Sequence, residues 1–153
     1  MKAAVFIVST SAYEAKKGSR ESDALKQTLE QVGLEVKTGA LPEDKTVVAA
    51  VMKQLADSGA VQLIVTIGAS GYLKKDCAPA ALEEIADRLL PGIPEAIRAY
   101  NIRYTKKVIL DRSLAGIRNK TILLNLPESV RAADDSLEYV LPELMSAMET
   151  LNV

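Results

Sequence analysis

The sequence contains no histidine, no tryptophan, a single cysteine and a single phenylalanine among its 153 residues. Without histidine, Ser-His-Asp and Cys-His catalysis within the chain is excluded, as are His-ligated zinc and haem held by histidine. One cysteine excludes an internal disulfide and any cysteine-rich metal cluster. Acid–base chemistry is left to carboxylates, lysine, tyrosine or a metal-bound water. No apolar run approaches the ~18 residues of a membrane helix. The opening stretch Met1 to Val8 is too short for a signal peptide and reads as a buried first strand, so a cytoplasmic protein is expected. Nineteen basic residues face twenty acidic ones, for a net charge of −1, and no overall field draws in nucleic acid. The local pairs Lys16-Lys17 and Lys106-Lys107 remain as anion sites. With the usual aromatic anchors missing, any interface between copies is expected to be aliphatic.

What is present is an alternation of apolar runs with helical patterns over one domain, 1–153, with no linker, repeat or low-complexity stretch. That alternation predicts an α/β fold with a mostly parallel sheet and crossover helices. Strands are predicted over Ala3 to Ser9, Leu34 to Thr38 and Val61 to Ile67, and helices over Glu21 to Val32 and Asp44 to Asp57, with Thr10 to about Ser19 a polar loop. Gly33 suits a helix stop. A further helix starts near Pro79, with Leu82, Ile85 and Leu89 on one face, and is broken by Pro91-Gly92. A short helix covers Pro94 to Ile102. Lys106 to Ala115 and Thr121 to Leu126 read as two strands joined through residues 116–120, which makes the sheet mixed. The stripe Leu137, Val140, Leu141, Leu144, Met145 and Met148 predicts a C-terminal helix packed on the sheet, kinked or restarted at Pro142.

In an open α/β sheet, ligands sit beyond the carboxyl ends of the strands. The loops at Thr10 to Ser22, Gly68 to Asp76 and Pro127 to Arg131 qualify, with Pro42-Glu43-Asp44 at the same edge. In Gly68-Ala69-Ser70-Gly71 two glycines permit close backbone approach, successive N–H groups can form an anion nest, and Ser70 adds a hydroxyl. This is no Walker A loop, because no Gly-Lys-Ser/Thr follows. Asp76 suits a Mg²⁺ held beside a phosphate and equally an N-terminal helix cap. Glu43 and Asp44 carry the same two readings, metal ligand or helix-start charge. Ser129 suits a cap of the last helix, and Cys77, with no histidine to activate it, suits an ordinary small residue.

Together these segments are more specific than any one of them. Thr66-Ile67-Gly68-Ala69-Ser70-Gly71 followed by Lys75-Asp76-Cys77-Ala78-Pro79 resembles the TxGGTG…RDxTP block of the molybdopterin-binding family. That family includes the Mog and MoaB proteins, the gephyrin G-type domains and part of the insertases. Leu89-Leu90-Pro91-Gly92, Arg103-Tyr104-Thr105, Ser113-Leu114-Ala115-Gly116 and Asn125-Leu126-Pro127 resemble its LPG, RYT, SRxxAG and NLPGSP segments in order, across nearly the whole chain. The resemblance implies a three-layer α/β/α sandwich, a homo-oligomer (commonly a trimer), molybdopterin binding, and adenylylation of the pterin's phosphate with Mg²⁺ and ATP. The balanced charge and short apolar runs already lead us to expect no nucleic acid and no membrane among the partners. On this chain the resemblance makes Asp76 and Glu43 the catalytic, metal-holding carboxylates. Thr66, Gly68, Ala69, Ser70, Gly71, Lys75, Ser22, Asn125, Pro127 and Ser129 become the substrate-binding set.

Several positions depart from that pattern. The first loop, with Ala12, lacks the family's Asp, and Asp23 stands where an Asp-x-Ser-Gly-Pro segment carries glycine. Ala69 replaces the second loop glycine, at a cost of roughly 1 kcal/mol if positive φ is required. Glu128 replaces the NLPG glycine, and each added carboxylate opposes an anionic ligand by ~1 kcal/mol or more at short range. Lys75 keeps the charge of the family's Arg without its bidentate geometry. Three outcomes are therefore open: a molybdopterin adenylyltransferase, a catalytically inactive paralogue acting as a pterin-binding or structural module, or a generic phosphometabolite-binding domain outside the pathway.

Overall fold

The computed structural model describes residues 1–128 and 133–153. The chain runs β1 (Lys2–Val8), α1 (Thr10–Ala15), α2 (Arg20–Gln31), β2 (Glu35–Leu41), α3 (Lys45–Ser58), β3 (Leu63–Ile67), α4 (Ala78–Ile85), β4 (Arg88–Leu89), α5 (Gly92–Asn101), a 3-10 turn (Lys106–Leu110), β5 (Ala115–Arg118), β6 (Thr121–Leu126) and α6 (Ala133–Leu151). Six strands form one sheet in the order β2-β1-β3-β6-β5-β4. The first four of that order run parallel, and β5 and β4 are antiparallel additions.

Side-chain alternation splits the strands between two cores. Ala3, Val5, Leu63, Val65, Ile67, Ile122, Leu124 and Leu126 face Leu25 and Leu29 of α2, Ile97 of α5, and Leu137, Val140, Leu144 and Met148 of α6. Ala4, Val8, Ile64 and Leu123 face Val48 and Met52 of α3 and Leu82 and Ile85 of α4. The result is the expected three-layer α/β/α sandwich. Both faces of β3 and β6 are covered, and every residue of each is buried.

The departures from the predicted elements have local causes. Thr10 to Ala15 is helical because the Ser9 hydroxyl accepts from Ala12 N and Lys16 closes the turn in the left-handed conformation. Strand β2 runs on to Leu41, in register with Val8. Leu89 lies on β4 and not on the α4 face: the chain turns extended at Ala86, and Arg88–Leu89 pair with Ile117 and Gly116. Gly116 permits this, since a Cβ there would stand 2.8 Å from the Arg88 carbonyl oxygen. Lys106 to Leu110 is a 3-10 turn, not a strand, started by Thr105 accepting from Lys107 N. Its apolar Ile109 and Leu110 face solvent. Helix α6 passes through Pro142 without a break. Tyr100 of α5, Tyr104 in the turn after it and Tyr139 of α6 cluster together, with Tyr104 and Tyr139 about half exposed and Arg103 stacked 4.6 Å over Tyr100. The exposed apolar surface is thus partly aromatic.

Two polar interactions tie the sheet together. At the buried register pair Thr66 and Asn125, the Asn125 amide donates to the Thr66 hydroxyl at 2.8 Å, and Asn125 Oδ1 accepts from Leu114 N at 3.0 Å. At the far end of the sheet, Arg118 forks onto Asp57 at 2.8 and 3.1 Å while Asn119 donates to the same carboxylate, locking the β5–β6 turn to the end of α3.

Thr66→Val leaves the Asn125 amide without its acceptor in a dry layer. Urea melts are expected to show a loss of about 1–3 kcal/mol. The Arg118 hydrogen bond and charge hold the Asp57 carboxyl below its ordinary value of 3.8. A depressed folded value gives stability that is present above 3.8 and lost as pH falls through the lower folded value. The stability gap between the protein and its Asp57→Asn variant is therefore expected to hold from neutral pH into mild acid and to narrow below 3.8 in urea melts at stepped pH.

Candidate active site

Beyond the carboxyl ends of β3 and β6 lies a cavity of about 470 Å³. Ala69, Ser70, Gly71 and Asp76 line it from the loop after β3, and Pro127 and Glu128 from the end of β6. Thr105, Lys107, Leu110 and Asp111 line it from the 3-10 turn and its flanks. The glycine loop is fixed by its main chain. Gly68 N donates to the Leu126 carbonyl, the Ala69 carbonyl accepts from Ala78 N, and the Ser70 carbonyl accepts from Arg112 N at 2.7 Å. Gly68 and Ala69 both adopt left-handed backbone, at φ +87° and +54°, so position 69 is one that favours glycine.

The N–H groups of Ala69, Ser70, Gly71 and Tyr72 meet no acceptor among the described residues. Four successive free amides in a loop that starts left-handed form an anion-receiving surface. Gly71 is required for the adjacent contact: a Cβ there would lie 2.8 Å from Asp76 Oδ2. That oxygen accepts from Leu73 N at 2.9 Å, so Asp76 braces the loop while lining the cavity.

Asp76 is not the cap of α4. Cys77 holds that position and makes no side-chain cap bond. Burial pushes the Cys77 thiol up from its ordinary value, and the nearby carboxylates Glu43, Asp44 and Asp76 push it further, so it lacks thiolate character. Asp44 caps α3, accepting from Thr46 N and Val47 N. Glu43 exchanges hydrogen bonds with Thr10 and pairs with Lys75 at 3.9 Å. Neither Glu43 nor Lys75 is among the cavity-lining residues.

The remaining expected site residues divide. Thr66 and Asn125 are wholly buried and satisfy each other. Ser22 forms a capping box with Ser19 at the start of α2. Asp23 is exposed in the first turn of that helix, where the helix dipole favours a carboxylate, away from the cavity. Gly68 lies under Glu128, whose Oε2 is 3.4 Å from where a Gly68 Cβ would be. Ser129 lies outside the described residues.

Sequence reasoning missed Asp111 and Arg98. Asp111 Oδ1 accepts from the Ser70 and Ser113 hydroxyls at 2.8 and 2.9 Å, and Oδ2 accepts from Ser113 N and Arg98 Nη1, both at 3.2 Å. The Ser70 proton is therefore committed to Asp111, which leaves the main chain as the loop's donor to an anion. The available signal was an Asp-Arg pair inside a run otherwise read as a strand.

Among the described residues, no group of three His, Cys, Asp or Glu could hold a metal. A Mg²⁺ that keeps its waters needs only one or two carboxylates besides a ligand's phosphate oxygens. Asp76 fits that role from the cavity wall, whereas Glu43 is engaged elsewhere.

Residues 4–146 match the family model described as "Probable molybdopterin binding domain", and the chain belongs to that family. It is similar to the molybdopterin adenylyltransferase of Haemophilus influenzae, 32% identical over 105 residues that make up 69% of this chain and 53% of that protein. A solved MoaB from Thermus thermophilus, described as a molybdopterin biosynthesis enzyme, is 32% identical. It superposes with a TM-score of 0.85 over 98% of this chain and 95% of that one. The Mog protein of Mycobacterium ulcerans, 24% identical, shares the fold at a TM-score of 0.90 over 98% of both chains. The chain spans about half the length of the first curated relatives it matches. No helix among the described residues is long and apolar enough to cross a membrane.

Asp111→Asn removes the charge that holds Arg98, Ser70 and Ser113 together. Thermal and urea melts are expected to show a loss of about 1.5–3 kcal/mol, the usual worth of a hydrogen bond to a charged group.

Proposed function

We propose that this chain acts in molybdenum cofactor biosynthesis by binding molybdopterin at the loop over residues 68–77 and adenylylating its terminal phosphate with ATP. The observation that carries this reading is the row of free amides from Ala69 to Tyr72 on the cavity wall. Similarity to molybdopterin adenylyltransferases supports it.

In the reaction, a phosphate oxygen of the pterin attacks the α-phosphorus of ATP in line, and pyrophosphate leaves. The amides of residues 69–72 would hold phosphate oxygens and fix the line of attack, with most of the catalysis coming from positioning and charge. Lys107 adds a cation on the opposite wall. A bound Mg²⁺ would neutralise charge on the phosphate oxygens, held from the protein side by Asp76. The working form in this reading is a cytoplasmic homo-oligomer, such as a trimer, with sedimentation velocity as its check.

A second reading, pterin binding without turnover, is favoured by a specific observation. Glu128 stands over Gly68, and Glu43 is tied to Thr10 and Lys75. A carboxylate about 4 Å from a phosphate charge costs about 1 kcal/mol in water and about 4 kcal/mol near a protein surface.

The test is incubation of the purified protein with molybdopterin, Mg²⁺ and ATP, followed by chromatography and mass analysis for adenylylated pterin. Product that disappears in Asp76→Asn supports the enzyme. Tight pterin binding without product supports the second reading, and absence of pterin binding overturns both.

A further inference from the structure

Among the described residues the sheet ends at β2, which pairs only with β1. Glu35 N donates to the Met1 carbonyl and the Leu41 carbonyl accepts from Ser9 N, so both ends of β2 turn their main chain inward. Main-chain groups alternate sides along a strand, so Thr38 and Ala40 direct theirs away from β1. Among the described residues, the N–H and C=O groups of these two meet no protein partner.

A groove of about 570 Å³ runs beside this edge. Its floor strand presents Thr38, Gly39 and Ala40, and its opposite wall is the end of α1 and the turn that follows. Gly39 carries no side chain because the Phe6 ring lies 3.3 Å from the Cβ position, which leaves the strand flat beside the groove. Helix α1 buries none of its residues, so the wall can yield.

Lys16 and Lys17 stand on that wall, placed by backbone geometry: Lys16 is left-handed, and the two N–H groups close α1 onto Tyr13 and Ala12. Neither lysine has a carboxylate partner among the described residues, and Glu14 is the groove's single acidic residue. Lysines commonly guard an edge by projecting from the edge strand itself. β2 carries one such lysine, Lys37, exposed beside Thr38, whereas Lys16 and Lys17 face the strand from across the groove.

We propose that this groove takes an extended acidic segment of a partner polypeptide, added as a seventh strand beside β2. Thr38 and Ala40 supply two N–H and two C=O groups to the added main chain, and main-chain pairing of this kind is a recurring mode of peptide recognition. Lys16 and Lys17 favour Asp and Glu side chains over Lys and Arg, an effect that salt weakens. The site lies apart from the cavity at the glycine loop, and the proposal does not depend on the chemistry there.

The test uses the full ¹⁵N-labelled chain with two blocked peptides, one alternating Glu and Val over seven residues and the other alternating Lys and Val. With the acidic peptide, amide exchange at Thr38 and Ala40 is expected to slow by roughly tenfold or more, and the Lys peptide is expected to have no effect. The double variant Lys16→Glu plus Lys17→Glu should exchange the two preferences. Thr38→Pro should abolish protection without loss of fold, since its N–H has no bond to lose; if it does not fold, the lysine variant decides. Unchanged exchange with the acidic peptide, or equal protection by the Lys peptide, overturns the proposal. So does protection that grows with protein concentration alone, which marks a second copy as occupant. Shifts at Lys16 and Lys17 with inorganic phosphate, without peptide protection at Thr38, mark a small-anion site and overturn it too.

Discussion

Strands β3 and β6 lie side by side with both faces covered by helices, and none of their residues reaches solvent. Under that constraint every main-chain group must be paired inside the sheet, and a polar side chain survives only by finding a partner in the same layer. Thr66 and Asn125 do so with each other, and Thr121 does so with the Val61 carbonyl. Polar function is thereby displaced off the strand ends, where the chain must leave the sheet and main-chain pairing stops. The cavity stands at such an exit, between the ends of two neighbouring parallel strands.

The exit is shaped by how little freedom the loop retains. Hydrogen bonds from Ala78, Arg112 and Leu73 fix its carbonyls and Asp76, and the Asp111 carboxylate takes up its hydroxyl. Four amides are left over. With the Ala69 and Ser70 carbonyls taken up and the amides of residues 69–72 not, this stretch offers donors to an anion whatever the net charge of the chain. The carboxylate of Glu128 acts against that polarity from the opposite lip. An anion entering here would meet fixed main-chain dipoles on one side and one exposed, rotatable carboxylate on the other.

Much of this was legible in the sequence, for identifiable reasons. β1, β3 and the helices α2 and α3 are set by apolar periodicity and by stop signals such as Gly33, and these survive folding because burial and propensity agree. The motif segments 66–71 and 75–79 located the cavity wall. Elements decided by single contacts were hidden. Leu89 joins β4 because Gly116 lacks a Cβ, a fact about a residue 27 positions away. Lys106 to Leu110 looks strand-like in composition but is coiled by the Thr105 cap, burying Val108 and leaving Ile109 and Leu110 outside. At the site, the residues that hold the loop were harder to see than those that form it. Asp111 and Arg98 are distant in sequence from Ser70 and carry no motif that points to it.

Ala69 sits in left-handed backbone at φ +54°, and for a side chain with a Cβ that conformation costs about 1–2 kcal/mol. Against the 5–15 kcal/mol that separates folded from unfolded domains, this is a factor of roughly 5–30 in the folded-to-unfolded ratio. In a cell, differences of that size are read by chaperones and proteases as changes in steady-state abundance. One methyl group at the mouth of the cavity therefore bears on two quantities at once: the shape of the anion loop, and how many intact copies of the protein a cell maintains.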